Sequence, residues 1–333
     1  MLFSRRLAFV IGCALLASCG GGDSGSTPPP TGGGGGGGGG TPTPSPSPSP
    51  TYATFATLTG NQAFATTCGG TTAGTVVPAD GLGRSASGNS LLSLDFTAGA
   101  NTWRVSGINV FGEPIDTTFR PEDIDAASTF TNFTDYLRDP GTGFRNRLLL
   151  GDKPIAGLTR EYVRQFVHVA RGTATGPVAT YFCSYGIPTL LTDPLPTGTI
   201  TYNSFRMVGQ AIVNGGPEAG AYDLGESVVT LSANPANGQV TTRLQLVGRL
   251  QTPSGLSDTR ADMGTFDGVA TADGTQQNFR GQLEGNRAIA GFSSFGGWFF
   301  GPQGREAAYG FSIQAAQPSG GQLLIAGTVT ARR

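Results

Sequence analysis

From Gly198 to the last residue, apolar and polar side chains alternate in short runs, and a period of two is the signature of a β-strand with one buried face. Val240, Thr242, Leu244 and Leu246 alternate with Thr241, Arg243, Gln245 and Val247, and Phe279, Gly281 and Leu283 alternate with Arg280, Gln282 and Glu284. Further runs are Tyr309, Phe311, Ile313 and then Leu323, Ile325, Gly327, Val329. About eight such runs fit between Thr199 and Ala331, and a meander of that number closes into an up-and-down barrel, which leaves no sheet edge exposed. The inward faces would carry Leu244, Leu246, Phe266, Phe279, Leu283, Tyr309, Phe311, Ile313, Leu323 and Ile325, enough bulk to fill the interior with the barrel's own side chains. The wet faces carry Arg and Glu where a lipid-facing band would be apolar, so the barrel is expected outside the bilayer.

The fold class expected for the chain is all-β: an N-terminal handle-like β domain over residues 52–196 and the eight-stranded antiparallel barrel over residues 197–333. In the first domain the strongest strand pair runs from Tyr162 to Ala170 and from Val178 to Tyr185. Alternation sets Tyr162, Arg164, Phe166 and His168 on one face and Val163, Gln165, Val167 and Val169 on the other. Helix-start signals occur only between Arg120 and Leu137, where Pro121, Glu122 and Asp123 predict one or two short turns. Pro188, Pro194 and Pro196 stiffen the connection to the barrel.

The N-terminus gives an address. Arg5-Arg6, an apolar run from Leu7 to Leu16 and the small residues before Cys19 form a lipoprotein signal peptide over residues 1–18, too short to span a bilayer. Cys19 is then the lipidated residue, and three acyl chains anchor stably. Gly20 follows the cysteine, which favours the outer membrane over retention at the inner one. Residues 19–51 hold an unbroken glycine run from Gly32 to Gly40 and alternating Pro, Ser and Thr, a tether with no core of its own. With Cys13 lost in the leader and Cys19 lipidated, Cys68 and Cys183 remain as a pair, and in an exported protein a lone pair is most simply a disulfide. Closing a loop of more than one hundred residues would stabilise by roughly 4–5 kcal/mol in the chain-entropy model.

The residue vocabulary is narrow. Twenty-one basic residues face 22 acidic ones, so there is no basic footprint for nucleic acid. Lys153 and His168 are the sole lysine and histidine. No GxSxG, SxxK, HExxH, P-loop or dinucleotide-binding GxGxxG motif is present, and the chain is not expected to be an enzyme. Acid–base chemistry would fall on Asp267, Glu284 and Glu306, whose simpler reading is solubility. No resident cofactor or metal is expected. The sharpest small-molecule reading is haem or iron as cargo, since His168 and Tyr162 share a face while Tyr181 and Tyr185 lie on the facing hairpin strand, and His and Tyr ligate ferric haem. A lone histidine on a β face is otherwise a packed residue.

The run from Ala290 to Ser312 contains Gly296-Gly297-Trp298-Phe299-Phe300-Gly301-Pro302 and then Glu306 before a small-aromatic strand. It resembles the barrel signature of transferrin-binding protein B-like lipoproteins, a family that also includes proteins similar to factor H binding protein. The ending Ile325 to Arg333 is similar to the family's last strand, and Tyr185-Gly186-Ile187-Pro188-Thr189 is a looser match in the first domain. Ala307-Ala308 departs from the family, which often has glycine there. The resemblance implies an outer-membrane, surface-facing lipoprotein with a handle and a barrel, acting as a solute carrier or protein co-receptor in iron or haem acquisition, with a surface receptor or carrier protein as partner. The competing reading is a structural or envelope lipoprotein, or one engaged in host interaction, with no soluble ligand. The signature's own chemistry is architectural: Gly296 and Gly297 let an aromatic lie against the strand, Gly301-Pro302 turn the chain, and Trp298, Phe299 and Phe300 bury area on both faces.

Overall fold

The computed structural model describes residues 51–333, apart from 73, 81–91, 110–111, 140–143, 154, 156–157, 159, 172–177 and 274–276. The leader, Cys19, most of the tether and most of the loop joining the strongest strand pair therefore lie outside the described residues.

The first domain is a two-layer sandwich. Its strands are β1 (Gln62–Ala63), β2 (Ala65–Thr72), β3 (Val76–Asp80), β4 (Leu92–Thr97), β5 (Thr102–Ile108), β6 (Pro114–Phe119), β7 (Thr134–Arg138), β8 (Asn146–Leu150), β9 (Val163–Arg171) and β10 (Val178–Gly186). They form a four-stranded sheet in the order β1-β4-β5-β6 and a six-stranded sheet in the order β3-β2-β10-β9-β8-β7. Between the layers Leu92, Leu94, Val105 and Phe119 meet Leu148, Phe166, Tyr181 and Tyr185, all buried. Cys68 and Cys183 stand opposite each other on β2 and β10 and are joined in a disulfide. The helical expectation shrinks to one 3-10 turn, Pro121–Asp123, in which Asp123 accepts the Arg120 N–H at 2.9 Å. Tyr136 and Leu137, expected at its end, belong instead to β7, where pairing with β8 buries Tyr136 in the sandwich.

The second domain follows as β11 (Ile200–Tyr202), β12 (Ser204–Asn214), β13 (Gly220–Asp223), β14 (Val228–Asn234), β15 (Gln239–Thr252), β16 (Gly255–Asp273), β17 (Asn278–Gly285), β18 (Ile289–Phe300), β19 (Glu306–Ala316) and β20 (Gln322–Arg332). Strands β12, β13, β15, β16, β17, β18, β19 and β20 pair around a closed ring, with β14 continuing β13 along the same neighbour and β11 pairing with β14. This is the expected antiparallel up-and-down barrel. Its interior is filled: Phe266, Phe279, Phe295, Phe299, Tyr309 and Phe311 are buried together, and the Tyr309 hydroxyl meets Thr242 Oγ1 at 2.7 Å.

At β2, β10 and much of β9 the six-stranded sheet is buried on both faces, because there its second face lies on the outer wall of the barrel. Small residues make that approach flat: a Cβ on Gly69 would collide with the Phe311 carbonyl oxygen, and one on Gly310 with the Cys68 backbone. Several polar groups are paired across the seam, although Gln165 Oε1 and Trp298 Nε1 have no hydrogen-bond partner there. Thr67 Oγ1 donates to the Gly296 carbonyl at 2.5 Å and accepts the Gly310 N–H at 3.0 Å, Ser184 Oγ meets Thr328 Oγ1 at 2.6 Å, and Gln165 Nε2 donates to the Thr328 carbonyl at 3.2 Å. Unpaired groups in so dry an interface would cost about 1–3 kcal/mol each, so this pairing fixes the docking geometry.

Candidate functional site

The aromatic and histidine side chains expected to face a ligand are core residues. His168 is fully buried against Phe119 and Tyr181, and its Nδ1 donates to the Arg147 carbonyl at 3.0 Å, which leaves Nε2 as an unpartnered acceptor. Burial pushes its pKa down to about 4, so the ring is neutral at physiological pH. Tyr181 and Tyr185 are likewise fully buried, and desolvation raises both hydroxyls far above the ordinary tyrosine range. Tyr162 precedes β9 and does not share the His168 face; it packs in the seam with Val163, Trp298, Phe300 and Ala308. The expected ligand face for haem or iron at Tyr162, His168, Tyr181 and Tyr185 is thereby corrected to packing. The reason is the second sheet layer, which covers the side of β9 that alternation alone left open. Among the described residues no group of three or more His, Cys, Asp and Glu side chains is placed to hold a metal ion.

The barrel signature resolves into a clasp on the first domain. Phe295 and Phe299 point into the barrel, whereas Trp298 and Phe300 point out beneath Tyr162. Gly297 faces inward, where a Cβ would lie 2.6 Å from Tyr309 Cβ and 2.8 Å from the Phe279 ring. Gly301 has φ +68°, and its missing Cβ leaves room for the Tyr162 ring. The segment Ile187–Thr189 zips onto this turn: the Gly301 N–H donates to the Ile187 carbonyl at 3.0 Å, the Thr189 N–H to the Phe299 carbonyl at 2.9 Å, and Thr189 Oγ1 to the Gly301 carbonyl at 2.8 Å. Pro302 opens a 3-10 turn over Pro302–Gly304. Ala307 lies inside the barrel and Ala308 in the seam.

Glu306 departs most from its sequence reading. It is fully buried, and its carboxylate accepts the backbone N–H groups of Glu161, Tyr162 and Val163, each at 2.9 Å. Burial raises its pKa, against the pull of those three donors and of Arg160. A carboxylate that caps three consecutive N–H groups of another domain is a docking device, and solubility is not its role. Asp267 and Glu284 do lie on the exposed face, directly opposite each other on β16 and β17, with Arg243 3.5 Å from Asp267.

Among the described residues, the recesses that open to solvent include one of about 420 Å³ beside Arg243, Asp267 and Glu284 and three more. An aromatic one in the first domain, about 380 Å³, is lined by Phe55, Leu58, Phe64, Phe96, Trp103 and Arg164. A second, about 630 Å³, lies on the barrel among Tyr222, Leu250, Arg260, Met263, Arg287 and Gln317. The third, about 260 Å³, sits where the six-stranded sheet meets β12 and β20, among Asp152, Lys153, Arg160, Arg164, Arg206 and Thr330. No sequence signal marked the third, because its cations come from β9, β12 and the loop after β8 and converge only on docking.

A filled eight-stranded barrel clasped to a sandwich handle defines the class of protein. No protein-family model matches the chain, and comparison with curated protein sequences finds no match. Among solved structures, the chain is similar to a double mutant of transferrin binding protein B from Haemophilus parasuis, with 12% identity, 80% of this chain and 44% of that one covered, and a TM-score of 0.41. It is also similar to apo haemoglobin receptor HpuA from Kingella denitrificans, with 12% identity, 70% and 83% covered and a TM-score of 0.34. The isotype 1 transferrin binding protein B from serogroup B Neisseria meningitidis gives 12% identity, 74% and 59% covered and a TM-score of 0.31. The chain spans 44% of the length of the H. parasuis protein. At these identities and scores the likeness carries no argument about ligand or partner.

Proposed function

We propose that this chain is a lipoprotein anchored in the outer membrane through Cys19, presented at the cell surface on its Gly/Pro-rich tether, and working as a binding module for a receptor or carrier protein, with iron or haem acquisition as its specific role. One observation carries the binding reading: the barrel interior is filled and the handle–barrel seam is packed, so recognition is left to the outer recesses and loops. The recess of Phe55, Phe96 and Trp103 suits that role, since half-buried aromatic surface beside an arginine is the composition of protein-binding hot spots. His168 is not part of this proposal. Affinity capture from intact cells tests it: a stoichiometric protein partner, weakened by Trp103→Ala in a variant of unchanged thermal midpoint, is the expected result. Recovery of wall material alone would favour the structural envelope role and overturn the proposal.

A further inference from the structure

The cleft between the six-stranded sheet and the barrel is lined by four basic residues and one acidic one. Lys153 stands exposed at its edge, and Arg160, Arg164 and Arg206 line it together with Asp152. The single acidic lining residue is already engaged, since both Asp152 oxygens accept from Thr134 Oγ1 at 2.8 and 2.9 Å. Glu306 acts on Arg160 from the seam, where it is saturated by three backbone donors. Positive charge therefore exceeds negative charge inside a partly desolvated space, a costly arrangement without a counter-ion.

The guanidinium groups are held in place by neutral partners. Arg206 lies over the Phe133 ring with its central carbon 5.0 Å from the centroid, whereas the Arg164 guanidinium turns to the aromatic recess, over Phe55 at 4.3 Å. Arg160 donates to the Ser204 carbonyl at 3.0 Å and reaches Thr330 Oγ1 at 3.5 Å. Arg206 makes no ion pair among the described residues, and burial, with Arg160 beside it, pulls its pKa down to about 10. Stacking on a ring fixes a guanidinium plane while leaving its N–H fork available, so the ordering cost of binding is already met.

We propose that this cleft is a binding site for a small dianionic oxyanion of the phosphate or sulfate type, held by Arg160 and Arg206 with Lys153 at the entrance. Charge and size both select this class. A volume of about 260 Å³ is below the usual range of drug-sized pockets, roughly 300–1,000 Å³. Arginine forks match the paired oxygens of such an ion in bidentate geometry. The inference concerns the folded body alone and stands whether or not the protein recognises a partner at the cell surface.

The test is calorimetric titration of the mature lipoprotein in detergent with inorganic phosphate, sulfate and chloride at matched ionic strength. Phosphate or sulfate should bind saturably with Kd below about 1 mM and raise the thermal midpoint, whereas chloride should do neither. Whichever of the two binds more tightly identifies the ion. Arg206→Gln should weaken binding at least about tenfold, a loss of about 1.4 kcal/mol, and the exposed Lys153→Gln, which cannot disturb the core, should weaken it severalfold. Absence of saturable heat with both oxyanions, an equal midpoint shift with chloride, or wild-type affinity in Lys153→Gln and any folded Arg206→Gln would overturn the proposal.

Discussion

Replacing Glu306 tests whether the barrel signature works as a clasp. In Glu306→Ala three backbone N–H groups, those of Glu161, Tyr162 and Val163, lose their acceptor in a site closed to solvent. Each buried donor left unpaired costs about 1–3 kcal/mol, and water entering the vacated space holds the total to about 4 kcal/mol. Glu306→Gln keeps the shape but offers one neutral acceptor and turns an NH₂ toward the donors, for a loss of about 2 kcal/mol. Both are upper figures, because desolvation of the buried carboxylate, the main cause of its raised pKa, is relieved in either variant. For a folded body of this size about 2–4 °C accompanies each kcal/mol, so the midpoint should fall by roughly 8–16 °C in the alanine variant and about half that in the glutamine variant. Calorimetry gives the midpoint, and amide exchange gives the location: protection at residues 161–163 should drop first. Midpoints within about 2 °C of wild type, with unchanged exchange at those residues, would refute the clasp.

Three further outcomes follow from packing and charge. His168 has a folded pKa of about 4 against an ordinary 6.5, so the unfolded chain takes the proton first; stability should be untouched above pH 6.5 and fall by about 3 kcal/mol as pH drops to 4. The urea midpoint should fall between pH 7 and about pH 4.5 for wild type and fall less for His168→Gln; parallel losses in the two proteins would contradict the assignment. Phe279→Ala should cost roughly 3–5 kcal/mol as a large truncation inside the filled barrel, measured by denaturant unfolding, while partner capture below the new midpoint stays intact. Residues 197–333 expressed alone should unfold cooperatively, since the ring closes on itself, with a lowered midpoint because Trp298, Phe300 and Ala308 lose their cover; failure to fold beside an intact two-domain control would mean one continuous core.

The barrel was legible because its period-two pattern has one consistent meaning over most of the ring: Val240, Leu244 and Leu246 face inward while Arg243 and Gln245 stay wet. The handle was not legible to the same depth. Every residue of β2 is buried, as are most of β9 and β10, so alternation there separates one interior from another and says nothing about solvent. His168 therefore read as a candidate ligand although it faces the sandwich core. Glu306 read as a surface acid for the same reason, since the covering of β19 by the handle is a tertiary fact that leaves no trace in the strand's own pattern. The disulfide was legible by elimination among four cysteines. The arginines of the seam cleft were not, because Arg160 and Arg206 lie 46 positions apart in a numbering that carries no sign of their meeting.

The central claim is a folded body displayed outside the cell on a lipid-anchored tether, and protease shaving of intact cells tests it most directly. Cleavage within the Gly/Pro-rich segment should release the handle–barrel body, folded and with its Cys68–Cys183 bond intact, while a periplasmic marker stays protected. In the same experiment Cys19→Ser should remove the protein from the membrane fraction before any protease is added. A body that resists protease until the outer membrane is permeabilised, or a Cys19→Ser protein that still partitions with membranes, would contradict the account.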